Sequence, residues 1–297
     1  MVRNGIRTFS GNFMLVFKHL VYLLIIGGVS LALFLWSFEP VVNRLTDSGW
    51  IGELYEFLEV FYTNPLGVAD AFEMLATKLY LALFSDIGSI WGSYALSLFA
   101  LLVLPNFLYN IGEYTLGVLT HSRMSSLLNR SYASTMLSSL ARSTRYALIK
   151  LLFNIPFFAI SVGVCVGYGI LANTFSGAWV LLPIFIAVIM LVLAFRYVFF
   201  IGFLPVSVIS EGALFKSFAN GLDLYTEGFM KKVLAMWALF IVELALSVAI
   251  ALFTLGAGLV IAVPSLLLVN VACSFTNYFQ TNKENFYVGE NQIVKPL

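Results

Sequence analysis

The chain has 297 residues, 61% hydrophobic and only 10% charged, with a mean hydropathy of +0.95 and a net charge of +1. Soluble domains are about 45–50% apolar and about 25% charged, so a water-soluble globule could not hide this surface, and lipid has to cover part of it. The sequence has neither a polybasic tract to grip nucleic acid nor an acidic tail, so the expected partners are membrane lipids or another membrane protein.

The first residues carry Arg3, Arg7 and Lys18 and lead into an apolar run over about 19–38. About 20 residues suffice to cross about 30 Å of hydrocarbon. A signal peptide has a shorter apolar region, about 7–15 residues, and a small-x-small cleavage site, which is not found here; the run reads as a retained signal-anchor helix. The stretch 39–89 holds eight acids, Glu39, Asp47, Glu53, Glu56, Glu59, Asp70, Glu73 and Asp86, against Arg44 and Lys78. Within it Ile51, Leu54, Tyr55, Leu58 and Phe61 recur at helical spacing, with Glu53, Glu56 and Glu59 on another face. After Asn64–Pro65–Leu66–Gly67 a second helix shows Val68, Phe72, Leu75 and Leu79. These are predicted amphipathic helices that rest on a membrane surface or cap the bundle. The acid row reads as a solvated face or a cation site, although acids at i, i+3 alone do not close a coordination shell.

A second run, about 90–120, is interrupted by Pro105. The segment 121–150 carries Arg123, Arg130, Arg142, Arg145 and Lys150 and no acid. Runs at about 151–173 and 179–205 are joined by Thr174–Phe175–Ser176–Gly177, and runs at about 233–253 and 257–279 by a turn with Gly256 and Gly258. Both pairs read as tight helical hairpins. Backbone groups facing lipid must be satisfied within the segment, so continuous runs of this length are helices; a barrel would show alternation. The predicted fold is all-α, a single integral membrane domain over 1–297 with six transmembrane helices.

Fourteen of the sixteen bases lie outside 39–89: Arg3, Arg7, Lys18, the five of 121–150, Arg196, Lys216, Lys231, Lys232, Lys283 and Lys295. The positive-inside rule then places both termini in the cytoplasm and 39–89 outside. An even number of spans requires termini on one side, in agreement. The expected location is a bacterial plasma (inner) membrane, multi-pass.

Three basic and aromatic segments precede the odd-numbered spans: Arg7–Phe13, Ala141–Tyr146, and Lys216–Gly221 with Phe229–Lys232. They read either as three repeats of an elbow helix followed by a hairpin or as ordinary interfacial anchoring. Gly27–Gly28 and Gly163/Gly167 read as close helix packing. Cys165 and Cys273 read as buried thiols.

Ionisable groups inside spans are costly and therefore the candidate functional residues. Glu243 lies about 15 Å into span five at 1.5 Å per residue, near the midplane. Glu113 and Arg196 share a depth nearer the cytoplasm, where an ion pair is expected. Asn270 lies near the level of Glu243, and Asn106 and Asn154 add polar groups. One reading is a polar pocket opening inward with Glu243 as a proton or cation site. The other is interhelical glue, Glu243 protonated or bonded to Asn270, and Glu113 bonded to Arg196. Pro105, Pro156, Pro183 and Pro264 read as kinks.

Catalytic signals are few. His19 and His121 are far apart, no metal-ligand spacing occurs, and there is no Gly-x-Ser-x-Gly elbow or phosphate-binding glycine loop. No cofactor or metal is expected, and an intramembrane enzyme stands only as a third reading behind the two given below.

Phe203-Leu204-Pro205-Val206-Ser207-Val208-Ile209-Ser210-Glu211-Gly212, then Ala213–Phe218 and Leu222–Phe229, resembles a bacterial membrane family that joins YciC-like proteins to the membrane domain found beside some glycerophosphoryl diester phosphodiesterases. The resemblance covers about a third of the chain and departs from the family where Asn220 and Gly221 stand. It implies a six-span fold and an envelope location, and no active-site residue. The leading expectation is an envelope accessory protein that binds lipid or a partner membrane protein. The alternative is a small-solute or lipid transporter using a pocket around Glu243.

Overall fold

A computed structural model of the chain describes residues 1–64, 67–84, 87–174, 178–210, 212–226, 228–289 and 292–294. Pro65–Leu66, Asp86, Phe175–Gly177, Glu211 and Lys295, used in the sequence reading, lie outside these residues. The fold is an all-α polytopic bundle. The helices are α1 (Val2–Gly11), α2 (Met14–Asp47), α3 (Trp50–Thr63), α4 (Val68–Phe84), α5 (Ile87–Leu98), α6 (Leu104–Ser126), α7 (Tyr132–Thr174), α8 (Leu182–Phe200), α9 (Phe203–Ile209), α10 (Leu214–Thr226), α11 (Phe229–Thr254) and α12 (Leu259–Thr281). A short antiparallel hairpin, β1 (Phe286–Gly289) and β2 (Gln292–Val294), follows. Among the described residues six stretches are long and apolar enough to cross a membrane: Met14–Asp47, Trp91–Ser126, Tyr132–Leu171, Leu182–Ile209, Phe229–Thr254 and Leu259–Thr281.

Several helices outrun their apolar cores. No Gly or Pro stands between Tyr132 and Ile155, so nothing stops α7 and the middle elbow is continuous with its span. The other two elbows are separate helices: α1 ends at Gly11, and α10 is divided from α11 at Gly228, whose φ of +64° only glycine adopts freely. Between α5 and α6 the backbone widens to a π turn over Phe99–Val103, where the Leu104 N–H bonds Phe99 O, five residues back. Pro105 causes this locally, because its ring crowds the carbonyl four residues earlier and it has no N–H to offer it.

The chain divides into two compact units, Met1–Leu24 with Phe107–Leu297, and Ile25–Asn106. In the first, α12 is central: 56% of its apolar stretch is buried, against 28% or less in the other spans. Around it Leu15, Tyr114, Tyr146, Phe203, Leu268 and Phe275 form the core. The hairpin partners α7 and α8 pack together, as do α11 and α12, which turn through Gly256 at φ +86°. Two of the bases outside 39–89 are tied to protein groups. Arg123 donates to Asn12 Oδ1 (3.1 Å) and Asn129 Oδ1 (2.7 Å), and Arg142 donates to the Ser210 carbonyl.

Close packing uses glycines other than those expected. Gly27, Gly28, Gly163 and Gly167 have nothing within 4 Å of a Cβ position, so they face outward from the packed surfaces. Gly5 of α1 instead lies on Cys273 of α12, and Gly202 lies on the Gly221 carbonyl where α10 crosses the start of α9. Cys273 is fully buried, whereas Cys165, on the outward face of α7, is exposed. A Cβ at Gly221 would stand 2.9 Å from Phe203 N. Gly221→Ala should therefore lower the melting temperature in detergent. Overpacking costs about 1–3 kcal/mol, more than the roughly 1 kcal/mol that alanine gains over glycine in a helix. An unchanged or higher melting temperature would show that the crossing yields.

The second unit contains the remainder of α2, then α3, α4, α5 and the π turn. The two predicted amphipathic helices are α3 and α4, and they pack along each other. Phe57 meets Phe72 across them, and Lys78 pairs with Glu53, so one member of the acid row is already engaged. The Ser37 and Ser97 hydroxyls bond at 3.0 Å. Tyr55, Phe61, Tyr62, Phe72 and Tyr80 remain exposed.

Candidate functional site

Glu113, Arg196, Glu243 and Asn270 all line one cavity of about 410 Å³ within the first unit. Three helices contribute stripes at three- to four-residue spacing, the period that keeps side chains on one helix face. The stripes are Met190, Leu193 and Tyr197 on α8, Phe240, Glu243 and Ser247 on α11, and Val263, Leu267, Asn270 and Ser274 on α12. Glu113 and Tyr109 of α6 and Lys150 of α7 close one end.

That end is charged. The Glu113 carboxylate is paired with Lys150, not with Arg196 as expected. The Tyr146 hydroxyl also donates to Glu113 Oε2 at 3.3 Å, and the Lys150 ammonium lies over the Tyr146 and Phe200 rings, 5.6 and 6.0 Å from their centroids. Arg196 Nε donates instead to Asn154 Oδ1 at 2.8 Å. The correction has a simple cause. Because α7 begins at Tyr132, Lys150 stands well inside the helix and is turned into the packed interior, 8% exposed, rather than anchoring its start at the headgroups.

Farther along lie Glu243 and Asn270. Glu243 is 8% exposed, and its Oε1 has no hydrogen-bond partner; nor has Asn270 Oδ1. The expected bond between the two side chains is not made. The tie between α8 and α12 is made by Tyr197, whose hydroxyl bonds the Asn270 carbonyl and, at 2.9 Å, Ser274 Oγ. Tyr197 carries a signal that depth along the spans does not use: a hydroxyl-bearing ring next to the one arginine inside an apolar run. Besides the Tyr109 and Tyr197 phenols, the ionisable side chains on the cavity wall are two acids, Glu113 and Glu243, and two bases, Lys150 and Arg196.

The histidines do not join this site. His19 Nδ1 bonds the Tyr132 hydroxyl at 2.8 Å, and His121 stacks on Phe279. Among the described residues no three His, Cys, Asp or Glu side chains converge in a way that could hold a metal ion. Comparison of the chain with protein families, with curated proteins and with solved structures returns no match.

Proposed function

We propose that this multi-pass membrane protein binds a ligand in the cavity between α6, α7, α8, α11 and α12, as a small-solute or lipid transporter does. One observation carries this reading: Glu243 and Asn270 both line the cavity, and two acceptors buried in its wall, Glu243 Oε1 and Asn270 Oδ1, have no hydrogen-bond partner. Groups that only glue helices together would be satisfied by one another, because an unpaired buried polar group costs free energy that packing does not return. Pro156 and Pro264 interrupt the hydrogen-bond ladders of α7 and α12, giving those helices points at which to bend. The reading as an accessory protein that contacts lipid or a membrane partner is favoured by a separate observation, the exposed aromatic residues of α3 and α4. The sorting of the bases favours cytoplasmic termini in a plasma membrane, which puts the charged end of the cavity in the inner half.

Thiol labelling tests the cavity. Ser247→Cys, made with Cys165→Ser in membrane vesicles, should react with a small aminoethyl thiosulfonate faster than with its sulfonatoethyl counterpart. Adding Glu243→Gln should remove that preference. If neither reagent reaches residue 247, the cavity is dry and the binding reading fails.

A further inference from the structure

We propose that the ligand of this cavity is a zwitterion: an ammonium received by Glu243 and Asn270, an oxyanion received by Arg196, and an apolar portion lying along Met190, Leu193 and Val263. The proposal rests on the binding reading given above and names its ligand class.

The unmet hydrogen-bonding capacity of the wall defines the ligand. Glu243 Oε1 and Asn270 Oδ1 are both acceptors without donors. A group that brings N–H donors and positive charge satisfies both. Arg196 uses Nε on Asn154, and among the described residues its terminal nitrogens meet no protein acceptor. A guanidinium so placed presents its N–H fork to an oxyanion. Lys150 is not available for that role, because Glu113 and the Tyr146 and Phe200 rings occupy it. A simple anion would meet the Glu243 carboxylate, and a bare metal cation would meet Arg196 and find too few oxygens, since Mg²⁺ and Ca²⁺ take about six or more. A molecule with both charges fits both anchors.

Spacing supports the pairing. The Tyr197 ring meets Phe240 at 5.8 Å, and its hydroxyl reaches Ser274, so Tyr197, Phe240 and Ser274 lie at one level, with Arg196 one residue before Tyr197 on α8. Glu243 and Asn270 are one helical turn from Phe240 and Ser274, a rise of roughly 5 Å. An ethylene bridge between nitrogen and a phosphate or carboxylate spans such a gap. Beyond it the walls are apolar apart from Ser247, with Leu193, Met190, Leu266 and Val263, so that the charged end and the apolar end of an amphipathic molecule each find a matching wall.

Two sources offer this chemistry, an aminophospholipid headgroup and a soluble amino-zwitterion. Binding to the full-length protein in detergent micelles separates them. The probes are dihexanoyl phosphatidylethanolamine, the matched phosphatidylcholine (no N–H on its cation), the matched phosphatidylglycerol (no cation) and O-phosphoethanolamine. Phosphatidylethanolamine is expected to bind roughly tenfold or more tighter than either matched lipid, the worth of one or two charge-assisted hydrogen bonds. Glu243→Gln should erase the preference over phosphatidylcholine, and Arg196→Gln should weaken both ethanolamine probes. A large advantage of the lipid over O-phosphoethanolamine identifies a lipid ligand; equal affinity identifies a soluble zwitterion. Equal binding of the three lipids, binding of none, or a preference untouched by Glu243→Gln overturns the proposal. Should either variant fail to fold, the ratio of ethanolamine to choline lipid in the unaltered protein decides. If residue 247 is labelled as described above and no such preference appears, the cavity stands and the zwitterion falls.

Discussion

Lys150→Met is expected to be the most destabilising single substitution in the bundle, at about 3–5 kcal/mol, because it leaves the Glu113 carboxylate buried without its counter-charge. The two side chains are only 10% and 13% exposed, so water does little to replace the lost partner. After the change Glu113 keeps only the Tyr146 hydroxyl, at 3.3 Å. Removing both charges by Lys150→Met with Glu113→Leu should recover most of the loss, since a buried ion pair is often no better than apolar residues of similar volume. What remains should trace to the Tyr146 hydroxyl, then a buried donor without an acceptor, a cost of about 1–3 kcal/mol. Adding Tyr146→Phe should remove that remainder too. Unfolding in a titration with denaturing detergent gives the cycle. Equal losses in the single and the double variant would mean the charges are not coupled, and the pair would be an accident of position.

The same lysine shows what the sequence did and did not make legible. Six apolar runs were visible because lipid demands continuous apolar length, and each run falls within a helix or a nearly continuous pair of helices. The ends were less legible. Apolarity reports where the lipid is, whereas a helix ends where backbone chemistry stops it. Between Tyr132 and Ile155 nothing does, so a segment that looked like a separate elbow became the first turns of α7 and carried Lys150 inward. The π turn at Phe99–Val103 was foreshadowed by Pro105, but which form the distortion would take depends on packing.

The candidate site was legible to the extent that depth could be counted. Glu113, Arg196, Glu243 and Asn270 lie on four different helices at compatible heights, and the structure brings all four to one cavity. Partner choice was not legible, because height says nothing about rotation around each helix. Rotation gives Glu113 to Lys150, Arg196 to Asn154, and the Asn270 carbonyl to Tyr197, and leaves two acceptors without partners in residues of the cavity wall. The glycines make the same point. Gly163 and Gly167 have the spacing of a packing motif and face open space, whereas Gly5 and Gly221, in no such motif, lie at helix crossings.

Glu243→Leu is the substitution that separates a binding residue from a packing residue, because the two roles predict opposite signs. If Glu243 held helices together, its loss would destabilise the fold. Its Oε1 has no partner, however, and it is 8% exposed, so the folded state carries an unsatisfied buried group whose removal returns about 1–3 kcal/mol. Leucine has nearly the same volume and would sit on the cavity wall beside Phe240 and Leu244, so no large cavity is left. The expected result is a protein with a higher melting temperature in detergent that has lost the preference of residue 247 for the cationic reagent. Stability exchanged for function in this way is common at sites where polar groups wait for a ligand. Glu243→Gln should fall between, keeping a polar group that still lacks a partner while losing the charge. A lower melting temperature for Glu243→Leu, with the labelling preference intact, would return Glu243 to the interhelical role and remove it from the site.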